Sequence, residues 1–422
     1  MRTKFDTVII GGGPAGSSAA ILLARAGWSV ALIEKQDFPR RKVCGECIAA
    51  SNLPLLEALG IGALFAQAAG PALQQVALMH GAHKVVAALP AAPHEHYPWG
   101  RALGRETLDT LLITQARLAG VHVMQPWSAT HVKGTAGNWR CDVRATDAGT
   151  VLTLRAAVLI DAHGSWQALP DARAGRSRDH RASDLLAFKA NFRQARLPEG
   201  LLPVLAFRGG YGGMVRADGG VTTLACCIRR DQLEASRRTA PGLSAGEVIE
   251  ALLQEQCDGV RAVLQGARRE GAWLAAGPLD PGIHLSRGDA MFRIGNAAGE
   301  AHPILGEGMS MALQSAWLLC VQLLARAPGQ GLSDPAWQRE LARVYAAQWR
   351  VAFAARLRFA AVLAHLAMRP RLFKPVLALL QRWPTLLTRA AVWGGKTRCT
   401  ADPAAIAIQN TFCDHAMRQQ GT

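Results

Sequence analysis

The chain has 422 residues, enough for two or three domains around a sizeable core. Half of them are apolar and 18% are charged, which excludes a disordered chain. A formal charge of +16 raises nucleic acid as a partner, but no recognition helix or interleaved aromatic platform accompanies it, so no nucleic-acid partner is expected. From residue 331 on there are 13 Lys or Arg and 4 Asp or Glu, so 13 − 4 = +9 of the surplus lies in the last quarter. The nine cysteines are an odd number, and the N-terminus runs straight into a strand pattern without a cleavable leader. Reduced thiols in a cytoplasmic protein are therefore expected. No His and Cys spacing suggests a metal site.

The chain opens on its strongest motif. Thr7 to Ile10 reads as a buried parallel strand. Gly11, Gly13 and Gly16 follow at G-x-G-x-x-G spacing, for a sharp turn, a close approach to pyrophosphate and a close helix–strand contact. Pro14 suits a first helical turn, and Ser17 to Ala26 continues as a helix whose start favours phosphate. Trp28 to Ile33 is the expected second strand. Glu34 ends it about 20 residues after the glycines, where a carboxylate holds a ribose hydroxyl. An acid at 34 disfavours a 2′-phosphate, so the ligand expected is FAD or NAD.

Residues 38 to 47, FPRRKVCGEC, place three cations before a Cys-Gly-Glu-Cys turn, where a chain would pass the ring end of a flavin. Cys44 and Cys47 also admit a redox-disulfide reading. A hairpin is expected over 73–88, a helix from Arg105, a strand near Val121 and hairpin strands over WRCDVRA and VLTLRAAV. The last runs on to Asp161, with a turn at Gly164. Four short strands over 183–229 read as an antiparallel sheet, in which adjacent Cys226 and Cys227 face opposite ways. Ser244 and Glu247 form a capping box for a helix to about Cys257.

Residues 291 to 320 read as a strand, a loop through Gly306-Glu307-Gly308 and a long apolar helix whose start aims free N–H groups at an anion. The last quarter is helical, basic and tryptophan-bearing, broken by Pro370, Pro375 and Pro384. No run of it is long enough to span a bilayer, so it reads either as a peripheral membrane face or as a roof over a substrate cavity. The domains expected are 1–70, 100–170 and 280–330 for the nucleotide fold, 71–99 and 171–279 for an inserted sheet, and 331–422 for the helical region.

Together, GGGPAG, FPRRKVCGEC, Arg105 and GNAAG…P…GEG resemble the FAD-dependent oxidoreductase superfamily of geranylgeranyl reductases, aromatic hydroxylases and flavin-dependent halogenases. The resemblance covers about residues 3 to 325. It implies an α/β fold: a Rossmann-like FAD-binding domain of the glutathione reductase type, an inserted antiparallel-sheet substrate domain and a C-terminal helical region. Gly11, Gly13, Pro14, Ala15 and Gly16 then match the pyrophosphate turn, and Glu34 with Lys35 the ribose end. Cys44, Gly45 and Cys47 match the segment beside the flavin, and Arg105 and Ala129 further cofactor contacts. Asn296 stands where the family has Asp, which keeps the hydrogen bond and loses the charge. Gly306, Gly308 and Met309 match the helix start under the pyrimidine, with Pro303 beside the ring.

The same resemblance implies a monooxygenase that uses NAD(P)H and O2 on a hydrophobic aromatic, polyketide- or isoprenoid-like substrate. The alternatives are a geranylgeranyl-reductase-like double-bond reductase, a halogenase and a membrane-peripheral electron-transfer flavoprotein. No Trp-x-Trp-x-Ile-Pro signature of the halogenases is present, and Gly213 replaces the Trp of the reductases' G-Y-x-W-x-F-P block. His302 and Glu307, flanking the flavin-facing loop, are the acid–base candidates, ahead of His163 and Lys189.

Overall fold

The computed structural model describes residues 2–147, 149–165, 180–285, 290–326, 331–397 and 402. It begins with β1 (Lys4–Ile10), α1 (Pro14–Arg25) and β2 (Val30–Ile33). The strands run parallel, Thr7 opposite Val30 and Ile10 opposite Ile33. β2 starts later than the sequence suggests, because Trp28 closes α1 by donating its N–H to the Leu23 carbonyl at 3.1 Å. Ser29 is held aside by Asp6, whose carboxylate accepts both its N–H and its hydroxyl at 2.7 Å.

The hairpin of β3 (Gln75–His80) and β4 (His83–Ala88) leaves this layer, and the chain returns through α2 (Arg105–Leu118) and β5 (His122–Met124). β6 (Trp127–Thr135), β7 (Asn138–Ala145) and β8 (Val151–Asp161) then form a meander. The first half of β8 pairs antiparallel with β7, and its second half lies parallel to β1. The hairpin read from sequence lacked β6, which has no buried residue along its length and so no apolar alternation to mark it.

Next come β9 (Leu185–Arg193), β10 (Leu201–Phe207), β11 (Gly210–Arg216) and β12 (Thr222–Arg229). Helices α3 (Arg230–Thr239), α4 (Ala245–Gln256) and α5 (Asp258–Leu264) follow, then β13 (Arg268–Ala276) and the short β14 (Phe292–Arg293). The box at the start of α4 is complete. Ser244 Oγ accepts from the Glu247 N–H at 3.4 Å, and Glu247 accepts from the Ser244 N–H at 2.9 Å. Four helices complete the described residues: α6 (Gly308–Leu323), α7 (Pro335–Ala367), α8 (Pro370–Arg382) and α9 (Thr385–Trp393).

Two seven-stranded sheets result. The first has the order β5-β2-β1-β8-β7-β6, with β14 beside β8. The second runs β13-β9-β12-β11-β10-β3-β4. It is antiparallel except where β10 lies parallel to β3, the hairpin strand donated from early in the chain. Cys226 buries one face of this sheet among Phe192, Phe207 and Leu253, while Cys227 and Tyr211 face Ala364, Ala367 and Phe373 of α7 and α8. Adjacent strand residues alternate in direction, so one sheet packs on helices from both sides.

The C-terminal helices are not an appendage. Tyr345, Trp349 and Phe353 of α7 are buried in the core that holds α1 and α6. Among the described residues no single helix is long and apolar enough to cross a membrane, and α7 and α8 are bent by 107° at their junction.

Candidate functional site

A cavity of about 400 Å³ lies between the two sheets, under the C-terminal helices. Twelve of the cofactor contacts expected from the sequence meet in its wall. Gly13, Pro14 and Ala15 come from the start of α1, Gly308 and Met309 from the start of α6, and Asn296, Pro303 and Gly306 from the loop before it. Cys44, Gly45 and Cys47 form the turn between them, and Arg105 stands at the start of α2. Lys35 is exposed, and Ala129 pairs with Val143 inside the meander; neither these two nor Gly11, Gly16, Glu34, His302 and Glu307 are in the wall.

The glycines separate by what requires them. Gly11 has φ +106°, and a Cβ there would stand 2.5 Å from the Ala162 carbonyl oxygen. A Cβ on Gly16 would stand 1.9 Å from the Gly11 oxygen. Both are glycine because the fold leaves no alternative. Gly13 and Gly308 have ordinary helix-start backbones, and a Cβ would meet only Arg105 Nη2 at 3.6 Å in the first case and nothing within 4 Å in the second. Gly45 is equally open. The protein's own packing does not need these three glycines. They keep bare a cradle that side chains would fill, and the unpaired N–H groups of both helix starts aim into it.

Glu34 supports this cradle from behind. Its carboxylate accepts the Gly12 N–H at 2.9 Å and the Gln36 N–H at 2.9 Å, with Arg40 Nη2 at 3.7 Å. Arg105 is fixed by a two-pronged contact with Asp109, Nε and Nη2 donating at 2.8 and 2.7 Å. Lys42 also lines the cavity; burial, then the neighbouring Arg105 and Arg40, pull its ammonium down to about 8.

The Cys-Gly-Glu-Cys turn is held through Glu46. This non-glycine residue has φ +58° and is buried. Its carboxylate accepts from the Arg105 N–H at 3.0 Å, the Thr223 hydroxyl at 2.6 Å and the buried Lys189 ammonium. Lys189, a weak catalytic candidate from sequence, is thus committed to a buried ion pair and does not line the cavity. Cys44 and Cys47 are free thiols, and burial pushes the Cys47 thiol up although Lys396 Nζ lies 3.9 Å away.

The acid–base candidates sit one layer back. His302 is buried behind Tyr211, whose hydroxyl lies 3.1 Å from its Nδ1. Glu307 is ion-paired with Lys396 at 3.3 Å and Arg356 at 3.9 Å. His163 contacts Asp161 and is also outside the cavity wall. The titratable groups that do face the cavity include Tyr211, Glu300 and Lys42. Each lies inside a stretch already singled out, but strand parity and loop direction, which sequence does not give, decide what points inward. Burial holds the Glu300 carboxyl above its ordinary value.

A family model described as "FAD binding domain" matches residues 4–335. The chain belongs to this family. Membership makes it an FAD-binding protein, in agreement with the three motifs. FAD also fits the residues present, because the two open glycines and the two helix starts face one cavity. Among curated relatives, the menaquinone reductase of Mycolicibacterium smegmatis is 43% identical over 61 residues, 14% of this chain and 15% of that protein. The tryptophan 2-halogenase of Chondromyces crocatus is 51% identical over 53 residues, 13% of this chain and 10% of that protein. The matched stretch thus spans less than a sixth of either relative. Among solved structures, the flavin-dependent brominase Bmp2 superposes with a TM-score of 0.71 at 20% identity, over 99% of this chain and 100% of that one. PqsL of Pseudomonas aeruginosa, in complex with 2-aminobenzoylacetate, gives 0.66 at 19%, over 88% and 99%. At such identities these two structures share the FAD binding domain fold with this chain.

Gly13→Ala leaves the unfolding free energy of the apoprotein within about 1 kcal/mol but weakens FAD binding at least tenfold, about 1.4 kcal/mol, in a fluorescence titration. Gly16→Ala instead destabilises the apoprotein by about 3 kcal/mol in denaturant melts. For His302, burial and then the neighbouring His365 pull the imidazole from 6.5 down to about 4. The unfolded chain therefore binds the extra proton, so stability is full above pH 6.5 and lost as pH falls toward 4. In His302→Gln the denaturation midpoint should fall less steeply across that window than in wild type.

Proposed function

We propose that the protein is a monooxygenase that hydroxylates a hydrophobic aromatic, polyketide- or isoprenoid-like substrate with NAD(P)H and O2. One observation carries the reading: the glycine cradle opens into a chamber walled largely by apolar side chains. Val76, Leu78, Leu202, Phe373, Val376 and Leu380 line that chamber, with Tyr211 and Glu300 among the polar groups in its wall. When bound, FAD supplies the redox and oxygen-transfer chemistry. Gly13, Ala15 and Arg105 would hold its phosphate end, and Gly308, Met309, Pro303 and the Cys44–Cys47 turn its ring end. The chain's own work is then to orient the substrate, exclude water with the roof of α7 to α9, and hold protons at Tyr211 and Glu300.

Saturation of an isoprenoid double bond is the second reading. The match to a menaquinone reductase and the Cys44 and Cys47 thiols in the wall support it. Turnover of the FAD-loaded protein with NADH or NADPH and candidate alkylphenols or isoprenoid quinones separates the two. The monooxygenase reading expects one added oxygen and a requirement for O2. Two added hydrogens without O2 would replace it with the reductase, and neither change would remove both.

The proposal extends to where the substrate is met. α8 and α9 turn Phe373 and Leu387 toward the cavity, and on their exposed side carry Leu372, Leu379, Trp383, Val392 and Trp393 beside Arg371, Lys374, Arg382 and Arg389. An apolar, tryptophan-bearing and cationic face suits peripheral binding to the anionic, cytoplasmic side of a membrane. Removing residues from 335 on would not test this, since α7 supplies core residues. The Trp383→Ser, Trp393→Ser double variant should keep its flavin and lose most of the intact protein's co-sedimentation with phosphatidylglycerol vesicles. Intact protein that stays in the supernatant would refute the membrane role.

A further inference from the structure

At the ring end of the cavity a thiol stands beside a buried ion pair. Lys396, three residues after α9, is in the cavity wall, its Nζ 3.3 Å from Glu307 and 3.9 Å from Cys47 Sγ. Cys47 is buried yet lines the same wall. Gly306 lets the two come together. It has φ +64° and no side chain, and a Cβ there would stand 3.4 Å from the Lys396 Nζ and 3.8 Å from the Cys47 Cβ. The backbone around Lys396 is also held. Its N–H donates to the Ala391 carbonyl at 3.2 Å, and the Gly395 carbonyl accepts the Ser51 hydroxyl at 3.3 Å. A small shift of a flexible lysine stem therefore brings nitrogen and sulfur within the span of one bridging oxygen.

We propose that Cys47 and Lys396 form a covalent oxygen bridge, Sγ–O–Nζ, when hydrogen peroxide enters the cavity, and that this bond latches the roof. The proposal stands whether the protein oxygenates or reduces its substrate, because the oxidant is peroxide itself. The Cys47 sulfur first attacks one peroxide. An S–O bond forms, the O–O bond breaks, and the thiol proton leaves in a water, which yields a sulfenic acid. Glu307 then takes a proton from the Lys396 ammonium and leaves a neutral amine. A second peroxide removes one hydrogen from the sulfenic O–H and one from the amine; the O–N bond forms and two waters leave. In sum, one thiol, one amine and two peroxides give one bridge and three waters. Sulfur and nitrogen are oxidised, and the four electrons reduce the peroxides.

The surroundings select this pair. Burial, against the pull of Lys396, holds the Cys47 thiol above its ordinary value, so the first step is slow and answers only to sustained oxidant. Burial alone would lower the Lys396 ammonium, but Cys47 and Glu307 outweigh it and hold it above its ordinary value. The amine therefore stays docked between carboxylate and sulfur until the sulfur is oxidised. Cys44, in the same turn, faces Arg105 instead, and a guanidinium does not give up a proton to become a nucleophile. The bond also has a mechanical consequence. Cys47 ends the turn at the ring end and Lys396 belongs to the chain leaving α9, so the bridge fastens the roof of α8 and α9 to the floor beneath it.

The test uses the FAD-loaded full chain, treated with hydrogen peroxide, its remaining thiols capped, and its mass measured intact and by peptide. Wild type should gain one oxygen and lose two hydrogens. A peptide pair joining residues 47 and 396 should appear and should separate with dithiothreitol. Cys47→Ser and Lys396→Arg should each abolish the pair, with denaturant melts to show that each variant is folded. Lys396→Arg keeps a cation beside Glu307, so it decides the matter alone if the buried Cys47 variant fails to fold. The bridge should slow FAD release after dilution about tenfold, followed by flavin fluorescence, and dithiothreitol should restore the rate. An unchanged mass would overturn the proposal, as would a Cys44–Cys47 disulfide, which loses two hydrogens and gains no oxygen. Sulfinic acid at Cys47 without a joined peptide would do the same, and unaltered FAD release from bridged protein would remove the latch. None of these readings uses product mass, so the bridge and the monooxygenase fail separately.

Discussion

Two helix N-termini converge on one cavity, each with a bare glycine, Gly13 and Gly308, in its wall, and the rest of the molecule serves that approach. The Ser17 N–H donates to the Gly13 carbonyl and the Met311 N–H to the Glu307 carbonyl, so the N–H groups ahead of each remain for a ligand. Parallel pairing of β1 with β2 and β8 aims α1 at the cavity. α1 and α6 pack against each other, and left-handed Gly295 lies beside both, where a Cβ would stand 3.0 Å from that of Ala15 and 3.8 Å from that of Ala312. Partial charges of one sign, brought together in a half-buried space, favour an anionic ligand far more than either helix start would alone.

The second constraint is the carboxylate of Glu46. It ties a turn of the first layer to two strands of the second, through Lys189 on β9 and Thr223 on β12. Taking one partner from a buried ion pair costs about 3–5 kcal/mol, so the turn carrying Cys44 and Cys47 is fixed from three sides despite its left-handed backbone. Rigidity there lets a loop do work usually left to strands and helices.

What could be read in the sequence was local. The glycine spacing, the capping box of α4 and the opposed cysteines of β12 each depend on a few neighbouring residues. β6 escaped because an unburied strand carries no alternating pattern, and the parallel contact of β3 with β10 escaped because its partners lie more than a hundred residues apart. The same limit governed the site. GYGGMVR and GNAAGEAHP stood out as blocks, yet only the fold turns Tyr211 and Glu300 inward and sets His302 behind. Glu46 gave no signal at all, since its partners are Arg105, Lys189 and Thr223.

The family match ends at residue 335, whereas Leu363, Ala367, Phe373, Val376, Leu380, Leu387 and Ala391 form the ceiling of the cavity. The ceiling is therefore written outside the matched part of the chain, while Val76, Leu78 and Leu202 of the same cavity lie within it. A lineage could exchange the ceiling, and with it the molecules admitted and the surface on which they are collected, without altering one residue of the coenzyme's seat.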